Sequence, residues 1–175
     1  MVPAMADPTT EQLLTGPAAF TAQLEVVLDQ AHRLATVMLR DRTAAEDAVQ
    51  EAALKAWRNQ RQLRGGADVF KTWFLSIVAN ECRMARRRRW WQVIRMPDPP
   101  VRPGSAQDLA AASDLRAAIS KLGPVDQTAL FCYFYLDLPM DQVARVLRVS
   151  PAAARSRVYR AAQRLRPDLD PSEDL

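Results

Sequence analysis

Residues 138–166, LPMDQVARVLRVSPAAARSRVYRAAQRLR, contain two short amphipathic helical patterns separated by only a few residues. Ser150 is a good N-cap, Pro151 suits a first helical position, and Pro167 disfavours helix at Arg166, so the second pattern has local start and stop signals. Apolar residues recur in this second pattern every three or four positions, which places them on one side of a helix. They are Ala154, Val158, Ala161 and Leu165.

The opposite side of the second helix is polar and basic. We predict that this side faces DNA, because a helix-turn-helix inserts its second helix into the major groove. An ordinary helical hairpin with a solvated arginine face explains the same pattern, and the pattern alone favours neither interpretation. The candidate DNA-facing residues are Arg155, Ser156, Tyr159, Arg160 and Gln163.

The distribution of charge is more informative than its total. The 175 residues carry a net charge of +4, and 49% of them are hydrophobic, which is enough for one ordinary domain or two small cores. Seven arginines and no acidic residue lie between Arg145 and Arg166, and six more lie between Arg83 and Arg95. Two basic patches predict two contacts with a polyanion.

Several classes of protein are disfavoured by composition. No apolar run approaches the roughly 20 residues that span a bilayer, and the first 16 residues lack a basic start and an apolar signal core, so we expect a cytoplasmic location without membrane insertion. Cys82 and Cys132 are expected to be core thiols. His32 is the only histidine and there is no CxxC motif, so we predict no metal, no cofactor and no enzymatic activity.

A helical pattern with an unusual outer face follows a first core helix that starts near Phe20. Its inner face is predicted to contain Val49, Ala52, Ala53 and Ala56, while its outer face combines acidic residues with one leucine. A solvated surface and a protein interface with an apolar anchor inside a polar rim are equally good interpretations. The outer residues are Asp47, Gln50, Glu51, Leu54 and Arg58.

A third helix is expected from about Val69, after a loop broken by Gly65 and Gly66. Its buried stripe is predicted to contain Phe70, Trp73, Phe74, Ile77 and Val78. The other face carries hydrogen-bonding side chains, which suit base edges, followed by arginines, which suit phosphates. A solvated basic helix end is the simpler alternative. That face consists of Thr72, Ser76, Asn80, Arg83 and Arg87.

Proline concentrates in MPDPPVRPGS, residues 96–105, and cannot continue a helix. We therefore expect an all-α chain of two small helical domains, residues 18–95 and 109–167, joined by a Pro-rich linker at 96–108.

These pieces resemble, in this order, an extracytoplasmic-function sigma factor of the bacterial sigma-70 family. AEDAVQEAALKAWRN (residues 45–59) resembles the core-polymerase-binding helix of sigma domain two, and TWFLSIVANECRMARRRR (72–89) resembles that domain's promoter-reading helix. Residues 138–166 resemble the helix-turn-helix of sigma domain four. The resemblance covers about Phe20 to Arg166.

The resemblance implies partners and roles for these faces. The outer face around Leu54 would dock on the clamp helices of the largest subunit of core RNA polymerase. The polar face of residues 154–165 would recognise the minus-35 promoter element, and an anti-sigma factor would be a further partner. Residues of the 63–68 loop and the third helix would bind the minus-ten element as a melted strand; they are Arg64, Asp68, Ser76, Asn80, Arg83 and Arg87.

The sequence departs from the family pattern at a few positions. Arg148 stands where the family often has glycine in the turn, Ala153 and Ala154 replace a common Thr-Val pair, and Pro139 replaces a capping serine. A left-handed backbone is therefore expected at Arg148, at some cost in strain.

Two alternative functions remain besides promoter recognition as a polymerase subunit. A stand-alone helix-turn-helix regulator would not need the acidic face around Leu54. A sigma mimic that sequesters an anti-sigma factor would not need base-reading groups such as Asn80, Arg155 and Arg160.

Overall fold

The computed structural model describes residues 16–60, 63, 67–95 and 117–169, with side chains described from 69 to 88 within the third helix and up to 165 at the end of the last. In these ranges every regular element is helical. The predicted linker at 96–108 lies outside the described residues. No helix in the described ranges is both long enough and apolar enough to cross a membrane.

Three long helices form the first unit: α1 (Pro17–Leu39), α2 (Arg42–Asn59) and α3 (Ala67–Arg95), each packed against the other two. The α1–α2 turn is short because Arg40 ends α1 in a left-handed conformation and the Asp41 carboxylate caps α2, accepting from the Ala44 N–H at 3.0 Å. Helix α3 starts two residues before the predicted position. The three helices thereby enclose one core.

The core of this unit is aromatic at one end. The Phe20 ring meets Trp57 and Phe70 edge to face, with ring centroids 5.2 and 5.7 Å apart. Phe74 is fully buried beside Phe70, whereas Trp73 is only partly buried. The predicted stripe of α3 is therefore confirmed, with two of its members, Trp73 and Ile77, at the edge of the core.

The second unit contains the helical residues 117–121, α4 (Pro124–Leu130), a π-helical turn (Phe131–Tyr135), α5 (Met140–Leu147) and α6 (Pro151–Leu169). Helices α5 and α6 are the predicted helix-turn-helix. Ser150 caps α6, because its hydroxyl oxygen accepts from the Ala153 N–H at 3.2 Å. The predicted inner residues of α6 are all buried: Ala154, Val158, Ala161 and Leu165.

Helix α6 does not stop where the sequence predicted. It continues through Pro167 to Leu169. Proline cannot donate to the carbonyl four residues earlier, that of Gln163, and its ring crowds that carbonyl. The cost is small here because Gln163 is exposed to water and only two helical residues follow Pro167. The prediction that Pro167 disfavours helix at Arg166 was wrong.

The two units share one apolar core, because α5 packs directly on α3. Val143 and Val146 of α5 are fully buried. Thr72 of α3, predicted to face outward, is only 2% exposed and donates its hydroxyl hydrogen to the side-chain oxygen Oε1 of Gln142. The prediction for Thr72 was wrong because it considered α3 without a second helix on its polar side.

Candidate nucleic-acid and protein-binding surfaces

The outer face of α2 is a continuous exposed surface with one apolar residue at its centre. The opposite side of the helix is buried through Val49, Ala52 and Ala56, as predicted. The Lys55 ammonium of α2 donates to the Glu81 carboxylate of α3 at 2.6 Å, and this ion pair fixes the rotation of α2 about its own axis. All members of the outer face are exposed, and Leu54 retains 51% of its surface; they are Asp47, Gln50, Glu51, Leu54 and Arg58.

The polar face of α3 is mostly covered. Ser76 donates its hydroxyl hydrogen to the Thr72 carbonyl at 2.7 Å and is half-buried, as are Asn80 and Arg83. Arg87, beyond the end of α5, is exposed. Arg64 and the side chain of Asp68 lie outside the described residues. The structure therefore places Ser76, Asn80 and Arg83 on one face of α3, and Asn80 and Arg83 contact the second unit.

The Arg83 guanidinium is held by the turn of the helix-turn-helix. Its Nη1 donates to the Val146 carbonyl at 3.0 Å, while Nη2 is buried and finds no hydrogen-bond acceptor among the described residues. Burial lowers the pKa of Arg83, and the nearby positive charge of Arg148 lowers it further. Two like charges are thus brought close together at this contact.

The outer face of α6 has the composition of a groove-reading surface, and all five predicted residues are exposed: Arg155, Ser156, Tyr159, Arg160 and Gln163. The Gln163 amide donates to the Tyr159 hydroxyl oxygen at 2.9 Å. The Arg160 Nε donates to the Ser156 carbonyl at 3.2 Å, which directs this guanidinium along the helix surface. These two hydrogen bonds within α6 therefore hold the Arg160 and Gln163 side chains in place.

Other arginines of α6 stabilise the second unit instead. Asp126 of α4 accepts from Arg157 at 3.0 Å and from Arg164 at 3.4 Å. The Asp126 side chain is 18% exposed, so these are partly buried ion pairs that hold α6 on α4. The basic patch predicted from sequence therefore separates into residues that hold the fold and residues that face solvent.

An exposed aromatic cluster in the π-helical turn was missed by sequence reasoning. Tyr133, Phe134 and Tyr135 are 38, 66 and 50% exposed. Arg33 of α1 lies over the Tyr135 ring and donates to its hydroxyl oxygen. The signal was available, since five consecutive bulky or apolar residues, FCYFY, exceed what one buried helix face needs.

A cleft of about 710 Å³ lies beside this cluster, between α1, α2 and the π-helical turn. His32 lines it, partly buried, with Nδ1 hydrogen-bonded to the Leu28 carbonyl at 3.0 Å. This bond holds the imidazole ring against its own helix.

Both thiols are buried and free, as predicted. Burial raises the pKa of Cys82 to about 12, with smaller opposing effects of Arg83 and Glu81. Burial likewise raises the pKa of Cys132 to about 12. Neither thiol is a reactive group in the folded chain.

A helix-turn-helix with an exposed basic face, on a chain whose first unit also contains a long basic helix, is the architecture of a DNA-binding protein. Residues 24–92 match the family model described as Sigma-70 region 2, and residues 112–165 match that described as Sigma-70, region 4. The chain belongs to the extracytoplasmic-function RNA polymerase sigma factors of the sigma-70 family.

Two curated relatives illustrate the similarity. The chain is 31% identical over 138 residues to the ECF RNA polymerase sigma factor SigM of Mycobacterium tuberculosis, covering 78% of this chain and 69% of SigM. It is 28% identical over 147 residues to the ECF RNA polymerase sigma factor SigE of Mycolicibacterium smegmatis, covering 79% of this chain but only 56% of SigE. The chain thus spans little more than half the length of that second relative.

The fold is also that of a solved sigma factor. The sigma factor RpoE from Bartonella quintana, solved in complex with the anti-sigma factor NepR, superimposes with a TM-score of 0.70 at 24% identity. The match covers 88% of this chain and 98% of RpoE. Both helical units of the chain therefore follow a known sigma-factor fold.

Proposed function

We propose that the chain is a dissociable subunit of RNA polymerase that binds the core enzyme, recognises a promoter and assists its opening. The proposal is carried by two exposed faces of different chemistry on one chain of this family. One is the acidic face around Leu54 on α2, and the other is the basic face around Arg160 on α6. The chain itself performs no chemical reaction and acts in the cytoplasm, where the polymerase is. The proposed domains are residues 18–95 and 109–167.

The α2 face is the proposed contact with core polymerase. Leu54 is the apolar anchor, because it is half-exposed at the centre of a charged rim, the arrangement found in interface hot spots. Asp47, Gln50, Glu51 and Arg58 form the polar rim. The proposed partner surface is the clamp helices of the largest polymerase subunit.

The α6 face is the proposed reader of the minus-35 element. An exposed guanidinium, such as that of Arg155 in the first turns of α6 or that of Arg160 at its middle, suits the two acceptors of a guanine edge in the major groove. Tyr159 and Gln163 are hydrogen-bonded to each other and extend the same face. Because Arg157 and Arg164 bind Asp126, we assign neither of them to DNA.

The minus-ten element is proposed to bind at Ser76, Asn80 and Arg83 of α3, with Arg87 contacting the phosphate backbone. Arg64 and Asp68 from the preceding loop complete this proposed site. An extruded base exposes its pairing edge, so a small number of polar groups is enough for specificity. An anti-sigma factor is proposed as the regulator of the chain.

Run-off transcription with purified core polymerase on a randomised promoter library tests the proposal. We expect transcripts that depend on the chain and that share two conserved elements upstream of their start sites. Binding to duplex DNA without binding to core polymerase would favour a stand-alone regulator instead. Binding to core polymerase without any selected promoter would favour a sigma mimic.

A further inference from the structure

One carboxylate of α4 binds two arginines of α6. The Asp126 Oδ1 accepts from Arg157 Nη1 at 3.0 Å, and the Oδ2 accepts from Arg164 Nη1 at 3.4 Å. The two arginines are two helical turns apart, so they extend from the same side of α6 and are separated by about 10 Å along its axis. Because both are tied to a single side chain, the contact restricts the rotation of α6 about its axis and also its tilt against α4.

The start of α4 is a fixed support for this contact. Gln127 is only 6% exposed, and its amide donates to the carbonyls of Ile119 at 2.8 Å and Leu122 at 2.9 Å. The Asp126 N–H donates to the Gly123 carbonyl at 3.0 Å, and its carboxylate lies in the first turn of α4, where the helix dipole favours a negative charge. The carboxylate is thus held by α4, and it transmits the position of α4 to α6.

The two bound arginines lie beside the proposed reading face of α6. At about 100° per residue, they are only about 40–60° around the helix from Arg160. Arg157 is one-third exposed, and its Nε is buried without an acceptor among the described residues, whereas Arg164 is 63% exposed. Without an acidic partner, long side chains at these positions would be free to reach the phosphates that border the groove.

We infer that Asp126 is a positioning and specificity-determining residue of the α6 face, although it is not part of that face. Its carboxylate fixes the angle at which Arg155 and Arg160 meet base edges. It also withholds Arg157 and Arg164 from phosphates. Phosphate contacts strengthen binding to every sequence, whereas base contacts discriminate, so this arrangement raises selectivity while it lowers overall affinity. The inference deepens the proposed function and rests on it for DNA as the partner.

The salt dependence of binding to random DNA tests whether the arginines are withheld. The full-length chain is titrated into a labelled duplex of random sequence, and binding is followed by fluorescence anisotropy. Asp126→Asn keeps the shape of the side chain and removes its charge. Each additional phosphate contact steepens the slope of log affinity against log salt concentration by about 0.9. A rise from about 0.05 to 0.2 M salt should therefore weaken binding of this variant about three- to twelvefold more than binding of the parent.

Asp141→Asn is the matched control, because it removes the same charge from the same unit. Asp141 binds Arg145 at 3.7 Å, and these side chains are 57 and 64% exposed, so the pair is weak and Arg145 is already available to phosphates. We expect the parent slope for Asp141→Asn. We expect the parent slope also for Asp126→Glu, which retains the charge. An equal change in Asp126→Asn and Asp141→Asn would assign the effect to net charge and overturn the inference.

Selection from a duplex pool randomised over the minus-35 region tests the positioning role. The binder is holoenzyme reconstituted from core polymerase and the full-length chain. Asp126→Asn should reduce the preference at the most selective base pair about three- to tenfold, a part of what one base contact supplies. An Arg157→Gln, Arg164→Gln double variant breaks the same bridge but frees no arginine. It should lose the same preference while it keeps the parent slope with random DNA.

Three results would overturn the inference. An unchanged slope in Asp126→Asn, even with a lower Tm, would leave an ion pair that only stabilises the fold. A steeper slope in the double glutamine variant would show that the additional contacts do not come from Arg157 and Arg164. Full base preference in both variants would reject the positioning role. Titration of the parent chain with core polymerase tests the proposed function separately, because the salt slopes are measured on the chain alone.

Discussion

Replacing Leu54 by alanine should weaken binding to core polymerase by about five- to tenfold. Leu54 keeps 51% of its surface exposed, so docking has about half of the side chain left to bury. Complete burial of a leucine contributes about 1.5–3 kcal/mol, and the remaining half therefore contributes about 0.8–1.5 kcal/mol. About 1.4 kcal/mol corresponds to a tenfold change in Kd. The measurement is a fluorescence titration of labelled chain with purified core polymerase.

Two control variants on α1 make this test specific. Val26→Ala also truncates an exposed apolar side chain, which is 78% exposed, and should change Kd less than twofold. Glu51→Arg should weaken core binding through charge reversal, whereas Glu25→Arg, at another exposed position, should not. All four are surface substitutions and should alter stability by no more than about 0.5 kcal/mol. Equal Kd values for Leu54→Ala and Val26→Ala would refute the docking face.

Three further predictions follow from the surfaces and the buried thiols. Arg160→Ala should relax base preference in the minus-35 element by about 1–3 kcal/mol. Arg87→Ala should instead weaken binding to all promoters alike and lower the slope of log affinity against log salt concentration by about one. If Arg160→Ala weakened all promoters equally in competition transcription, Arg160 would be assigned to a phosphate contact. Asn80→Ala should slow strand opening on duplex promoters, measured with a fluorescent base, and a pre-melted minus-ten bubble should partly restore it; opening at the parent rate on duplex DNA would contradict strand capture. Burial raises the pKa of both thiols from the ordinary 9 to about 12, so between these pH values the unfolded chain loses protons that the folded chain keeps. The free energy of unfolding should therefore fall as pH rises from about 9 to 12. Urea unfolding of a Cys82→Ala, Cys132→Ala double variant should show a smaller fall, and an unchanged fall would assign it to other groups.

The helices and their inner faces could be predicted from the sequence because local signals specify them. The spacing of Ala154, Val158 and Leu165 is sufficient to orient α6, and Ser150 is sufficient to begin it. The exposed acidic face around Leu54 followed from the same periodicity. Each of these predictions concerns one helix and the side on which its apolar residues lie.

The packing of α5 on α3 could not be predicted in this way. Thr72 and Gln142 are 70 residues apart, and both are polar residues that suit a surface equally well. Their burial depends on the approach of two separate units, which no local pattern encodes. The exposed aromatic turn was missed for a different reason, because composition does not show which bulky apolar residues, such as Phe134, a small core leaves exposed.

The distribution of arginine partners explains why net charge is a poor measure of the DNA-binding surface. Within the helix-turn-helix, Arg157 and Arg164 bind Asp126, and Arg148 binds Asn80. Arg155 and Arg160 are exposed, with no acidic partner among the described residues. Counterion release depends only on charges that reach phosphates, so the effective charge of this unit toward DNA is smaller than its arginine content implies.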